Sequence, residues 1–417
     1  MDFKSFNLHP KIVAGIVEAG FDQPTPIQAE SIPKIMQHRD VMGLAQTGTG
    51  KTAAFGLPIL HQLMKGKRGC VRALIIAPTR ELAEQIHEAL SHLGKQSGLR
   101  SLTVYGGVGI NPQITKLKRG AEIVVACPGR LLDHIKQSTI DLSNLDVLVL
   151  DEADRMFDMG FLPDIRRIIK AVPAKRQTLL FSATMPKEIR HLAKEVLNNP
   201  ETVQVDTIAP PVTVSHALYP VPQHLKADLL LKLLEQTDTG SVLVFTRTKH
   251  RAKRLGEKLC KSGYRAASLQ GNLSQSRRQA ALDGFRDGSF QILVATDIAA
   301  RGIDVSLVSH VVNFDIPDTA EAYIHRIGRT GRAARSGDAF TMITNEDGVM
   351  VRTIERALGT QLEQRKLDDF DYRVPAPERP AQPSRRPARA TQRTRPQKTK
   401  PKQSSSGNRK ATAGRGR

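Results

Sequence analysis

The chain has 417 residues, and 62 Lys and Arg against 41 Asp and Glu leave a formal charge of 62 − 41 = +21. That length exceeds one ordinary core and predicts two or three domains. Trp is absent and Cys70, Cys127 and Cys260 form no CxxC pair, which excludes an aromatic-rich carbohydrate-binding surface, a zinc ribbon and a disulfide scaffold. No apolar run approaches the roughly 18 residues of a membrane span. The opening residues carry no apolar signal core, so a reducing, cytoplasmic setting is expected.

Residues 40–44 (DVMGL) read as the first buried strand. Further strand-like runs fall at 72–77 (RALIIA), 122–126 (EIVVA), 146–150 (DVLVL) and 177–182 (QTLLFS). Between 79 and 95, Leu82, Ile86, Leu90 and Leu93 recur at helical spacing. This alternation predicts a parallel sheet flanked by helices. The pattern pauses near 207–214, around Pro210-Pro211, and restarts at 241–246 (SVLVFT), 291–296 (QILVAT) and 310–314 (HVVNF). Residues 249–262 place Ala252, Leu255 and Leu259 on one helix face. The expected organisation is an α/β domain over 1–206, a linker over 207–215, a second α/β domain over 216–368, and a tail over 369–417.

Residues 373–417 hold 14 Lys and Arg against Glu378 alone, a local charge of 14 − 1 = +13. With seven prolines and no aromatic residue, this segment cannot bury enough apolar surface to offset its chain entropy, and disorder is expected. Such an arm suits nucleic-acid phosphates. A merely solubilising tail has the same composition.

Ligands of open parallel sheets bind beyond the carboxyl ends of the strands. There stands Ala45-Gln46-Thr47-Gly48-Thr49-Gly50-Lys51-Thr52, a phosphate-binding loop whose first glycine is replaced by Ala45. Gly48 and Gly50 let backbone N–H groups turn toward phosphate oxygens. Lys51 supplies a point charge for the β- and γ-phosphates, and Thr52 a hydroxyl for Mg²⁺. Asp151-Glu152-Ala153-Asp154 follows the strand at 146–150. Acids at the end of a buried strand need a cation or a helix N-terminus. Asp151 suits Mg²⁺, partly through water, and Glu152 suits the attacking water. In His325-Arg326-Ile327-Gly328-Arg329-Thr330-Gly331-Arg332, three arginines spaced by three are costly to bury without anions. A solvated basic loop is the plainer alternative.

Taken together, the sequence resembles the DEAD-box ATP-dependent RNA helicases. The motifs run in order over about residues 3–345. They are Gly20-Phe21 with Pro24-Thr25-Pro26-Ile27-Gln28, the loop from Ala45, Pro78-Thr79-Arg80-Glu81-Leu82-Ala83, Gly106-Gly107, Pro128-Gly129-Arg130, Asp151 to Asp154, and Ser182-Ala183-Thr184. Next come Gln275 with Arg278, Ala295-Thr296-Asp297, Ala300-Arg301-Gly302-Ile303-Asp304, and His325 to Arg332. The stretch Arg155-Met156-Phe157-Asp158-Met159-Gly160-Phe161 and the basic tail look most like the bacterial RhlE group.

The resemblance implies two tandem RecA-like domains closing over ATP, Mg²⁺ and RNA. Residues 1–30 would form the adenine-recognition segment, with Gln28 pairing with the base and Phe21 packing on it. Phe3 stands at an upstream aromatic position, where a hydrophobic plug is as good a reading. Asp304 would hold the ribose. Arg329 and Arg332, with His325, would complete the catalytic set of Lys51, Asp151 and Glu152. Ser182, Thr184 and Asp154 would couple the ATP site to domain closure. Arg80, Gly107, Gly129, Arg130, Arg278, Thr296 and Gly302 would contact RNA, largely through its backbone. Cys127 replaces the usual Thr before Pro-Gly-Arg, and Gln270 stands where His is common, without an assigned role. The expected activity is RNA-stimulated ATP hydrolysis coupled to local, non-processive unwinding of short duplexes and remodelling of RNA–protein complexes. The core is expected to be monomeric, with ribosome-assembly or RNA-degradation partners. A non-catalytic RNA chaperone and a DNA-translocating helicase are the rivals. The first predicts annealing indifferent to Lys51 and Glu152, the second an ATPase stimulated by DNA.

Overall fold

The fold was examined in a computed structural model that describes residues 2–376, apart from 47, 206–213, 238–239, 301–307 and 331–336. Thr47, Gly302, Asp304, Arg332, linker positions 207–213 and the tail from 377 lie outside the described residues.

The buried runs become strands because an all-parallel sheet covers both faces of its central strands. The first sheet comprises β1 (Val41–Leu44), β2 (Ala73–Ile76), β3 (Ser101–Val104), β4 (Ile123–Ala126), β5 (Val147–Leu150), β6 (Gln177–Ser182) and β7 (Glu201–Gln204). Their order is β3-β4-β2-β5-β6-β1-β7. The second comprises β8 (Val214–Pro220), β9 (Val242–Phe245), β10 (Ala266–Leu269), β11 (Ile292–Ala295), β12 (His310–Asn313), β13 (Gly337–Ile343) and β14 (Glu363–Gln364), ordered β10-β11-β9-β12-β13-β8-β14. Subtracting seven from each label of the second sheet reproduces the first. The chain therefore consists of two tandem RecA-like α/β domains.

Alternate residues of one strand enter different cores. Ala73 and Ile75 join the cluster on one face of the first sheet, and Leu74 and Ile76 join the other. The helices obey their expected periodicity. Arg80–Leu93 buries Leu82, Ile86, Leu90 and Leu93, and the Thr79 hydroxyl caps it by accepting from Leu82 N–H. Lys249–Lys261 buries Ala252, Leu255 and Leu259 behind a Thr248 cap.

Two expected boundaries shift. Val214 and Ser215 are already in β8, paired with Gly337 and Asp338, so the second sheet begins inside the expected linker. Phe370 and Tyr372 meet edge to face at 4.9 Å and pack on the second domain's core, so ordered packing runs past 368. Among the described residues, no helix is long and apolar enough to cross a membrane.

Candidate functional site

The chain turns from β1 through residues 45–50 into the helix Lys51–Leu63. Gly48 (φ 85°) and Gly50 (φ 94°) take up backbone conformations that side chains rarely adopt. At Gly50 a Cβ would come within 2.4 Å of Gln28 Nε2. Lys51 is buried, and its Nζ donates to the Ala45 carbonyl at 2.9 Å. The Thr49 hydroxyl closes the turn on the Gln46 carbonyl at 2.7 Å. Thr52 lies in the first helical turn, where backbone N–H groups and the helix dipole favour an anion.

Gln28 already uses both ends of its amide. Oε1 accepts from Thr25 N–H at 3.0 Å, and Nε2 donates to the Gly50 carbonyl at 3.1 Å. It therefore buttresses the phosphate loop, and base recognition would fall to its remaining lone pair and N–H. Phe21 is 39% exposed and stacks on buried Phe3 at 6.3 Å, so Phe3 is the plug that supports it.

Strand β5 delivers the acids. Asp151 and Glu152 are only 2% and 3% exposed. Burial pushes the Asp151 carboxyl up to about 6, against the pull of Lys51. No lysine or arginine among the described residues forms an ion pair with Asp151. A buried carboxyl without a paired cation fits a hard divalent ion with oxygen ligands. Glu152 adopts φ 52°, and its Oε2 accepts from Arg155 Nη1 at 2.7 Å. Asp154 Oδ2 accepts from both the backbone N–H and the hydroxyl of Thr184, at 2.8 and 2.9 Å. Ser182 Oγ accepts from Asp154 N–H and donates to the Thr184 carbonyl. Burial raises the Asp154 carboxyl, but Thr184 and Lys51 together hold it below its ordinary value. Asp154, Ser182 and Thr184 thus form a closed hydrogen-bond circuit.

The second domain faces this edge with the helix Ala320–Ile327. A cavity of about 610 Å³ is lined by Ala45, Gln46 and Thr184 on one side and Glu321, Ile324 and His325 on the other. Burial first, then the charge of Arg155, push the His325 imidazole down to about 4, so it is neutral near pH 7. Arg329 is buried. Arg326 is neutralised from within: it grips Asp297 with two bonds of 2.7 and 2.6 Å and donates to Asn313 and the Asp315 carbonyl. Of the three spaced arginines, this one is structural.

Two of the residues expected to meet RNA, Gly107 and Arg278, lie against side chains of the helix Arg80–Leu93, which carries Arg80 itself. The Arg80 guanidinium lies 4.4 Å over the Tyr105 ring, and its buried Nε has no hydrogen-bond partner among the described residues. Gly107 has φ 78°, and a Cβ there would meet Arg80 Nη1 at 2.8 Å. At Gly129 nothing lies within 4 Å of a Cβ, so its backbone is approachable. Arg130 spends both terminal nitrogens on the Val108 carbonyl at 3.0 Å and ties this edge together. Arg278 crosses from the second domain to Glu81 at 2.6 Å and to the Ala299 carbonyl. Thr296 is buried at the end of β11. Cys127 starts the helix Pro128–Lys136 without a side-chain cap, and burial pushes its thiol up to about 12. Gln270 shapes a turn by accepting from Asn272 N–H at 2.7 Å. Sequence reading assigned no role to Arg155, Glu81 or Asp297. Glu81 and Asp297 act through partners distant in sequence, Arg278 and Arg326, whereas Arg155 pairs with Glu152 at i,i+3, a spacing local enough to read.

Known proteins place this geometry. Residues 25–192 match the DEAD/DEAH box helicase family, and 225–334 match the helicase conserved C-terminal domain. The DEAD-box ATP-dependent RNA helicase CshA of Geobacillus kaustophilus is 45% identical over 88% of this chain and 79% of its own. The ATP-dependent RNA helicase DeaD of Buchnera aphidicola is 43% identical over 89% of this chain and 62% of its own. Saccharomyces cerevisiae Dbp5 bound to RNA and ADP BeF3 superimposes with a TM-score of 0.80 at 32% identity, covering 88% of this chain and 96% of that one. The chain belongs to the DEAD-box family of ATP-dependent RNA helicases, enzymes that hydrolyse ATP.

Proposed function

We propose that the site divides the family's reaction among its residues as follows. Ala45, Gln46, Thr47, Gly48, Thr49, Gly50 and Lys51 hold the triphosphate, Gln28 and Phe21 the adenine, and Asp304 the ribose. Thr52 and Asp151 hold Mg²⁺, which when bound neutralises charge on the β- and γ-phosphate oxygens. Glu152 accepts a hydrogen bond from the attacking water and orients it in line. Arg329 and Arg332 donate to the phosphoryl oxygens as charge develops, and neutral His325 borders the same space. Arg80, Gly107, Gly129, Arg278, Thr296 and Gly302 follow the RNA backbone, and Arg130 fixes the edge on which they sit.

The observation that carries this reading is Asp154. Its carboxylate belongs to the acidic run beside the phosphates yet is bonded at 2.8 and 2.9 Å to Thr184, which lines the cavity facing the second domain. Nucleotide state and domain closure therefore share one carboxylate, and ligands that favour the same closed state reinforce each other. RNA that bends on closure loses a few base pairs, and reopening after hydrolysis releases it. ATP turnover measured with no nucleic acid, with RNA and with DNA tests this: stimulation by RNA alone is expected. Equal stimulation by DNA would overturn it.

Residues 155–161 and the basic tail support placement in the RhlE group. Cysteine usage supports a cytoplasmic setting; a monomeric core and ribosome-assembly or RNA-degradation partners remain part of the proposal. The domains are drawn at 1–206 and 214–374.

A further inference from the structure

Arg155 directly follows the acidic run, on the short helix Ala153–Asp158. It is 8% exposed, unusually deep for an arginine. Its Nη1 donates to Glu152 Oε2 at 2.7 Å, and the paired side chains are 9% and 4% exposed. Burying two charges is costly before they pair. Replacing such a pair by apolar groups is often neutral or stabilising, so the fold gains little from keeping it. Its place at the site gives it a use. A carboxylate with an arginine on one oxygen cannot rotate about its last torsion without breaking a charge-assisted bond. What the other oxygen faces is then set by the guanidinium.

We propose that Arg155 is a positioning residue for hydrolysis: through its bond to Oε2 it locks the Glu152 carboxylate in the orientation that aims the attacking water. This rests on the reading of Glu152 as the water's acceptor, and it adds a residue that itself touches neither nucleotide nor RNA. The lock makes kcat, and not binding, its observable. A reacting group misplaced by about 1 Å loses on the order of 100-fold in rate.

The test is single-turnover ATP hydrolysis by the full chain at saturating RNA, with nucleotide and RNA affinities measured separately. Arg155→Ala is expected to lower the rate roughly 10- to 100-fold while both affinities move by less than about threefold. Arg155→Lys, which keeps the charge but not the planar fork, should recover part of the rate. Millimolar guanidinium should rescue the alanine variant. In a Glu152→Gln background, Arg155→Ala should add little, because the two residues act as a unit. A full additive loss in that background, or an undiminished rate for Arg155→Ala, overturns the proposal. If Glu152→Gln alone leaves the rate intact, the reading of Glu152 fails instead, and the two failures are distinct. Should the alanine variant not fold, the lysine variant and a glutamine variant at 155 carry the same comparison.

Discussion

The carboxyl edges of the two sheets are the same place built twice. After β1 the chain enters a helix whose first residue is Lys51; after β8, past a short 3-10 turn, it enters one whose first residue is Lys226. The strand β5 is followed by Asp151, and β12 by Phe314 and then Asp315. Both aspartates are 2% exposed. A cavity of about 640 Å³, lined by Lys226, Arg247, Arg251 and Asp315, opens at the second edge. The difference lies in who satisfies the acid. Asp315 takes Arg251 at 2.5 Å, the Arg247 N–H at 2.9 Å, and Lys226 at 3.9 Å. Lys226 in turn donates to the carbonyls of Phe314 and Met342. The turn from Val221 to Leu225 holds a proline and no glycine. The second edge is closed by its own cations. The first has Gly48 and Gly50 after its strand and, among the described residues, an aspartate without an ion pair, which the proposed reading gives to a metal ion. Topology supplies a site at each edge, and a handful of side chains decide which one is open.

The largest effect should come from the second-domain arginine that the proposed reading aims at the phosphoryl group. Arg329→Ala is expected to lower kcat by roughly 10³–10⁵-fold, with a smaller rise in KM for ATP. Steady-state turnover at saturating RNA checks it, and a pure KM effect would restrict Arg329 to ground-state binding. Glu152→Gln should slow hydrolysis by roughly 10²–10⁴-fold yet keep nucleotide affinity, whereas Lys51→Ala should weaken that affinity. Near-normal turnover in both would break the assignment of chemistry to the first edge.

The counterpart lysine should behave oppositely. Removing one partner of a buried ion pair costs about 3–5 kcal/mol. Lys226→Ala should therefore lower the unfolding free energy obtained from urea titration by about that amount while KM for ATP stays put. A raised KM at unchanged stability would mean that the second edge handles nucleotide after all. The smallest effect concerns helix starts. Cys127 follows β4 where Thr296 follows β11, and its helix lacks the side-chain cap that Thr79, Thr248 and Thr319 provide elsewhere. Cys127→Thr should gain about 1 kcal/mol by capping and tighten RNA binding modestly. A flat denaturation midpoint would show that the thiol's packing matters more than the absent cap.

The sequence by itself determined the phosphate loop, the acidic run, the central strands and the amphipathic helices. Each is a local pattern: glycines before Lys51-Thr52, apolar runs such as 147–150, and a 3.6-residue period in 80–93. The strands it did not announce include all four sheet edges, β3 (SLTV), β7 (ETVQ), β10 (AASL) and β14 (EQ). An edge strand is paired on one side only and half exposed, so it needs no buried apolar run. Which charged groups are spent was decided by the tertiary structure alone. Arg326 stood among three arginines in need of anions, and Asp297 meets it; Arg278 was expected on RNA and Gln28 on the base, and the fold also gives them Glu81 and the Gly50 carbonyl. Periodicity is set within one turn or one strand, but the neutralisation of a buried charge depends on which distant segment the fold brings within 3 Å or so, and no local spacing records that.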